Sequence, residues 1–318
     1  VAAPTINEIR QAADRIQPYA HRTPVLTCAS LDRLVGAQIF LKCENLQKVG
    51  AFKFRGACNA VFSLPESDVA RGVVTHSSGN HAQALALAAR LRGIPAYIVM
   101  PHTAPAVKKA AVAGYGGRIT FCEPTLQSRE STQAKVIADT GAAPIHPYNN
   151  YSVIAGQGTA AMELLQEVSD LEAILAPVGG GGLLSGTSIA ATELSPGIRV
   201  IGAEPEGADD AFRSLAAGEI MPSVNPRTVA DGLLTSLGDL TFPIIRERVE
   251  QIITVSEAAI VSAMKFVWER AKIVIEPSAA VAVGALWEHK VDLTGLRVGV
   301  ILSGGNVDLD RLPWQSGT

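Results

Sequence analysis

The chain has 318 residues, 47% apolar and 18% charged, so it is too apolar to stay disordered and long enough to bury a sizeable core. Its 27 Lys plus Arg meet 30 Asp plus Glu, a formal charge of -3, which lacks the basic excess of a nucleic-acid binder and points to a small partner. No apolar run approaches the roughly 18 residues that a membrane span needs, and the first twenty residues carry acids where a signal peptide is apolar, so a soluble cytoplasmic protein without a membrane partner is expected.

Thr5 and Glu8 form a capping box around Ile6, Ile9, Ala13 and Ile16, which predicts an amphipathic opening helix that Thr23-Pro24 does not let continue. Short apolar runs then recur at 39–43, 72–76, 96–100, 118–122, 173–178, 199–204, 251–255 and 298–302, with helical patterns in the gaps. Strands that are apolar throughout and separated by helices predict parallel sheets covered on both faces, an α/β fold. Residues 72–149 hold three or four such units, enough for a small domain of their own. Residues 1–71 and 150–318 then form the larger domain into which it is inserted. Cys28, Cys43, Cys58 and Cys122 have no paired spacing, and the six histidines show no HxxxH or HExxH pattern. Free buried thiols are expected, with no zinc site and no redox motif.

Three polar turns follow strands. The most informative is Gly179-Gly180-Gly181-Gly182-Leu183, which opens a helical pattern and exposes successive backbone N–H groups where helix polarity favours an anion. A phosphate fits there. A P-loop does not, because Thr187 stands where its lysine belongs. The glycine spacing also misses the dinucleotide fingerprint, although Glu204 imitates its ribose-binding acid. The other two turns are Thr75 to His81 and Ser303 to Asn306, and loops at the carboxyl ends of parallel strands converge on one cleft. Lys53, between Phe52 and Phe54 at a helix start, has apolar neighbours that disfavour the ammonium form and make it a candidate nucleophile or Schiff-base former. Beside the cofactor enzyme developed below, a nicotinamide oxidoreductase and a non-catalytic ligand-binding protein stay open at this point.

The order Phe52-Lys53-Phe54-Arg55-Gly56-Ala57, Ser77-Ser78-Gly79-Asn80-His81, Gly179 to Leu183 and Ser303-Gly304-Gly305-Asn306 resembles, from end to end, the pyridoxal-phosphate enzymes of the tryptophan-synthase-like fold, fold type II. Within them it is most similar to the serine racemases, with the serine and threonine dehydratases beside them. The resemblance implies that Lys53 carries pyridoxal 5'-phosphate, Phe52 packs beside its ring, Asn80 meets the ring hydroxyl, Gly179, Gly180, Gly181, Gly182 and Leu183 hold the phosphate, and Ser303 meets the ring nitrogen. A neutral serine there makes the ring a weaker electron sink than an aspartate would. Lys53 would serve one face of the substrate α-carbon. Ser78 matches the racemases' second base, where typical threonine dehydratases carry alanine; its other reading is a helix cap. Ser77, Asn80 and His81 lie near the implied carboxylate site, with Arg129 and His76 in support.

Glu204, the Ala208 carbonyl and Asp210 resemble the family's divalent-cation site, whose oxygen donors suit Mg²⁺, Mn²⁺ or Ca²⁺. Lys48, Gln83, Tyr115 and Asn306 match the nucleotide-binding members, but Cys28 and Ala29 replace their serines, which counts against a nucleotide effector. Tyr148 to Ser152 lacks the serine run of aspartate racemases, which counts against aspartate as the main substrate; the resemblance implies serine, with threonine and 3-hydroxyaspartate as alternatives. The resemblance also implies a homodimer.

Overall fold

The capping box forms as expected in the computed structural model, which describes residues 2–315. The Thr5 side chain accepts the Asn7 N–H and Glu8 reaches back to the Thr5 N–H, so the helix Ile6–Ile16 starts with its exposed donors satisfied and buries Ile9, Ala12 and Ile16.

All eight apolar runs become strands. In chain order the strands are β1 (Val25–Thr27), β2 (Gln38–Cys43), β3 (Val73–His76), β4 (Ala96–Pro101), β5 (Arg118–Cys122), β6 (Ala143–Pro144), β7 (Ala173–Pro177), β8 (Arg199–Pro205), β9 (Gln251–Val255) and β10 (Arg297–Leu302). Six make one sheet in the order β1-β2-β10-β7-β8-β9, and four make another in the order β5-β4-β3-β6. Every pairing is parallel except β1 with β2, so the expectation of purely parallel sheets is corrected at that edge. Alternate residues of β7 to β10 enter two apolar clusters: Leu175, Ile201, Val255 and Val300 face one, Ile174, Val200, Ile252 and Ile301 the other. Helices cover both faces, which is why these strands read as continuous apolar runs. The four cysteines are buried and free.

The smaller sheet lies wholly between Val73 and Pro144, but its apolar cluster reaches outside that span. Phe54, Ala57, Cys58 and Val61, on the helix Lys53–Phe62, pack with Val73, Ile98, Met100 and Leu85. The same helix also packs on the helix Tyr151–Glu167. It is therefore wedged between the two sheets. Arg55, fully buried, pins it there by bonding Glu44 at 2.7 and 2.9 Å, Glu163 at 2.7 and 2.8 Å and Thr159 at 3.1 Å. Lys42 completes the group at 2.7 Å from Glu163, giving two cations to two carboxylates, the balance that buried charge requires.

Candidate active site

Lys53 is the first residue of its helix and half-buried. Its Nζ donates to the Pro147 carbonyl at 2.9 Å and lies 5.1 Å from the centre of the Phe52 ring. Loss of surrounding water pushes the amine down to about 8, although the nearby Glu276 charge works the other way. The residues before it are sewn to the turn after β10: the Phe52 N–H donates to the Ser303 carbonyl at 3.0 Å, and the Gly305 N–H to Gly50 at 2.9 Å. Ser303 is buried beside Phe52.

The glycine turn joins β7 to the helix Gly182–Leu194, with Gly181 at φ 87° as its N-cap. A Cβ at Gly180 would stand 2.3 Å from the Tyr148 ring, and one at Gly182 would stand 2.8 Å from Gln157 Oε1, so the backbone approach itself demands glycine. The N–H groups of Gly179 to Leu183 find no acceptor on another element among the described residues. Both amide atoms of Gln157 are buried and unpartnered alongside. Buried donors of this kind are almost always satisfied, so the loop fits a phosphate group. Tyr148 and His146, one residue either side of the Pro147 carbonyl that holds Lys53, connect this loop to the amine, with their rings edge-on at 4.5 Å.

The Ser77 to His81 turn follows β3. Gly79 is the N-cap of the helix Asn80–Arg92, and no side chain caps that end. The Ser78 hydroxyl is thus not spent on the helix, which removes the cap reading. Ser77 is half-buried, with its Oγ 3.4 Å from the Gly79 N–H. Asn80 crosses to the larger sheet's side: its Nδ2 donates to Glu276 at 3.0 and 3.2 Å, and its Oδ1 accepts from Asn306 Nδ2 at 2.9 Å. The polar turns after β3 and β10 therefore meet, with Glu276 close enough for its charge to act on Lys53, as one cleft requires.

His81 is buried, with Nε2 3.2 Å from the Ile145 carbonyl and Nδ1 unpartnered, and burial beside Lys53 pushes it down to about 3. Its backbone N–H lies in the first helical turn, where no carbonyl of the same helix can accept it. Burial also takes His146 down to about 4, and its Nδ1 accepts the Asn149 N–H at 2.9 Å. Arg129, on the helix Leu126–Thr140, has a buried Nε without a partner and lies close enough to His76 to help depress its pKa.

Sequence reasoning did not single out Glu276, His146 or Gln157. Glu276 had a signal: it is a lone acid inside the apolar stretch from Ile273 to Leu286, directly before a proline that starts a helix.

The acidic turn runs from the end of β8 into the helix that follows it. Glu204 accepts the N–H groups of Ala211 and Phe212 at 2.9 and 2.8 Å, and burial raises it to about 8. Asp210 is 1% exposed and raised to about 6, and neither carboxylate oxygen has a hydrogen-bond partner. Ala208 is buried beside it. No group of three or more His, Cys, Asp or Glu side chains placed to hold a metal ion occurs among the described residues. Two carboxylates and a carbonyl are a hard-cation donor set, and the unpartnered Asp210 oxygens fit one.

Residues 16–304 match the family described as pyridoxal-phosphate dependent enzyme. The chain is 54% identical over 312 residues to a beta-hydroxyaspartate dehydratase of Paracoccus denitrificans, covering 98% of this chain and 99% of the relative. It is 52% identical over 318 residues to a serine racemase of Dictyostelium discoideum, covering 98% of both. Among solved structures, maize serine racemase superposes with a TM-score of 0.96 at 48% identity, covering 99% of this chain and 97% of that one. No helix among the described residues is long and apolar enough to cross a membrane.

Proposed function

The chain belongs to the pyridoxal-phosphate dependent enzymes, and from that premise we propose that it interconverts L- and D-serine and converts L-serine, and L-threonine, to the 2-oxo acid and ammonia. The nicotinamide and non-catalytic readings fall with the family match. When bound, pyridoxal phosphate supplies the electron-withdrawing ring that makes the α-hydrogen of an attached amino acid removable. The N–H groups of Gly179 to Leu183 would hold its phosphate, Asn80 its ring hydroxyl and Ser303 its ring nitrogen, with Phe52 alongside. Ser77, Asn80 and the N–H of His81 receive the substrate carboxylate. Lys53 Nζ, whose burial brings it down to about 8 from the ordinary lysine value, takes the proton from one face of the α-carbon. Ser78 Oγ delivers a proton to the other face, which yields the opposite enantiomer. When the β-hydroxyl leaves instead, the carbon skeleton ends as pyruvate and the nitrogen as ammonia.

The observation that carries racemisation is the Ser78 hydroxyl, placed two residues before Asn80 and engaged by no helix N–H. Incubating the cofactor-loaded protein with L-serine should yield both D-serine and pyruvate; pyruvate alone would reduce the reading to a dehydratase.

A second substrate is favoured by Arg129. Its unpartnered buried Nε beside His76 offers charge for a second carboxylate, so dehydration of 3-hydroxyaspartate is part of the proposal. Arg129→Met should lower kcat/KM for 3-hydroxyaspartate by about 10- to 100-fold and leave that for L-serine within about threefold. Equal losses for both substrates would remove Arg129 from this role.

Mg²⁺, or Mn²⁺ or Ca²⁺ in its place, would occupy Glu204, the Ala208 carbonyl and Asp210. A chelator should lower the melting temperature by about 2–4 °C for each kcal/mol of binding lost, and Mg²⁺ should restore it. Asp210→Ala should abolish that response. A variant that still responds like the parent protein would place the cation elsewhere. A homodimer and a cytoplasmic location accompany this reading. A nucleotide effector does not, since Cys28 and Ala29 replace the serines of the matched pattern.

A further inference from the structure

Glu276 is a buried acid to which the chemistry above gives no task. It is 5% exposed and stands just before the helix Pro277–Trp287. Its backbone N–H donates to the Gly304 carbonyl at 3.0 Å, and a Cβ on Gly304 would come within 2.5 Å of its Oε1, so the turn after β10 is built to let this carboxylate in. Two donors reach it from two sides of the cleft in three contacts: Asn80 Nδ2 at 3.0 and 3.2 Å, and the Asn306 N–H at 3.2 Å. Asn306 holds Asn80 from the other end, its Nδ2 donating to Asn80 Oδ1 at 2.9 Å and to the Val49 carbonyl at 2.7 Å.

These contacts leave the Asn80 amide one orientation. Burial raises Glu276 to about 7, while the N–H donors of Asn80 and Asn306 favour its ionised form; an ionised carboxylate only accepts, and the Asn306 amide nitrogen only donates. Turning Asn80 over would set its oxygen against the carboxylate and its NH₂ against another NH₂, two repulsive contacts in a buried place. One N–H shared between the two Glu276 oxygens also leaves the second N–H of Asn80 unspent.

We propose that Glu276 is a positioning residue that fixes the orientation of the Asn80 amide, so that its remaining N–H, and not its oxygen, faces the ring hydroxyl of the cofactor. The inference rests on the reading of Asn80 given under the proposed function. Glu276 touches Asn80 and not the reacting atoms, so it acts through Asn80. A glutamine at 276 has the same shape but donates as well as accepts, and it removes one of the two penalties on the turned-over amide, the one on the carboxylate side.

The test is a four-protein cycle: parent, Glu276→Gln, Asn80→Ala and the double variant. For each, the cofactor dissociation constant is measured by equilibrium dialysis, the pH midpoint of the cofactor absorbance near about 410 nm by titration, and the melting temperature of the cofactor-free protein by calorimetry. Glu276→Gln is expected to weaken cofactor binding about 5- to 20-fold and to move the absorbance midpoint. Added to Asn80→Ala it should change the dissociation constant by less than about twofold, because the residue it acts through is gone. Multiplying effects, or a Glu276→Gln protein that melts lower but binds with unchanged constant and midpoint, would overturn the inference in favour of a purely structural role. Asn80→Ala with the parent's constant and spectrum would instead bring down the Asn80 reading itself, and the inference with it. If Glu276→Gln does not accumulate as folded protein, Asn306→Ala replaces it in the cycle. Asn306→Ala frees Asn80 Oδ1, and the same non-additivity is expected; its absence overturns the inference equally.

Discussion

Lys53→Ala should lose both racemisation and elimination by a factor of about 10,000 or more, with the fold retained. Both halves of that expectation come from the surroundings of the residue. The amine makes one hydrogen bond, to the Pro147 carbonyl, so its removal orphans no charged group. The helix it begins stays anchored two residues on, where Arg55 holds Glu44 and Glu163, and the Phe52 N–H keeps the Ser303 carbonyl. The melting temperature of the cofactor-free variant should therefore stay within a few degrees of the parent's, about the shift that 1 kcal/mol makes. The borohydride-sensitive absorbance near about 410 nm should vanish. Its persistence together with substantial turnover would end the assignment of Lys53.

The same amine predicts a pH dependence with a definite sign. Only the neutral form attacks a carbonyl, and burial has brought the amine down to about 8 from the ordinary lysine value of 10.5. Capture of the cofactor by the stripped protein should thus speed up with rising pH and level off above about pH 8, where an ordinary lysine would still be accelerating at pH 10.

Most of the architecture was legible because long apolar runs are hard to misread. All eight runs singled out between Ile39 and Leu302 became strands, and those of the larger sheet between β7 and β10 are covered on both faces, whereas β5 leaves Phe121 exposed. β1 and β6, three and two residues long, were not, since no period can be read over so few positions. The small domain at 72–149 remains a reading from the sequence, and packing gives it a companion that chain order hides. The helix Lys53–Phe62 shares its apolar cluster with β3 and β4 although it precedes residue 72. Within the candidate site, the residues that a motif carries, Lys53, Ser78, Asn80 and the glycine turn, could be named from the sequence. The site was illegible where long-range contact creates the chemistry. Glu276 is nearly 200 positions from Asn80 in the chain, and only folding makes the two neighbours.

Ser78→Ala should separate the two reactions that Lys53→Ala removes together. If Lys53 Nζ serves one face of the α-carbon and Ser78 Oγ the other, the alanine variant keeps the group that takes the proton from L-serine and lacks the one that returns a proton to make D-serine. Loss of a positioned acid or base costs a factor of about 100 to 10,000, so interconversion should collapse by that much while pyruvate still forms from L-serine at a measurable rate. Elimination from D-serine should fall with racemisation, because its α-hydrogen points to the missing hydroxyl. The fold has little reason to change: Ser78 is half-buried, and the helix that follows is capped at Gly79 without it. Both enantiomers would be followed by chiral chromatography and pyruvate by a coupled assay in one reaction. Unchanged racemisation would show that another group or a water molecule protonates that face. Parallel loss of all activities, with the cofactor absorbance gone, would show that the hydroxyl holds the pocket together and does not act on one face. Only the split result, L-serine eliminated and no enantiomer exchanged, assigns the two faces to the two residues.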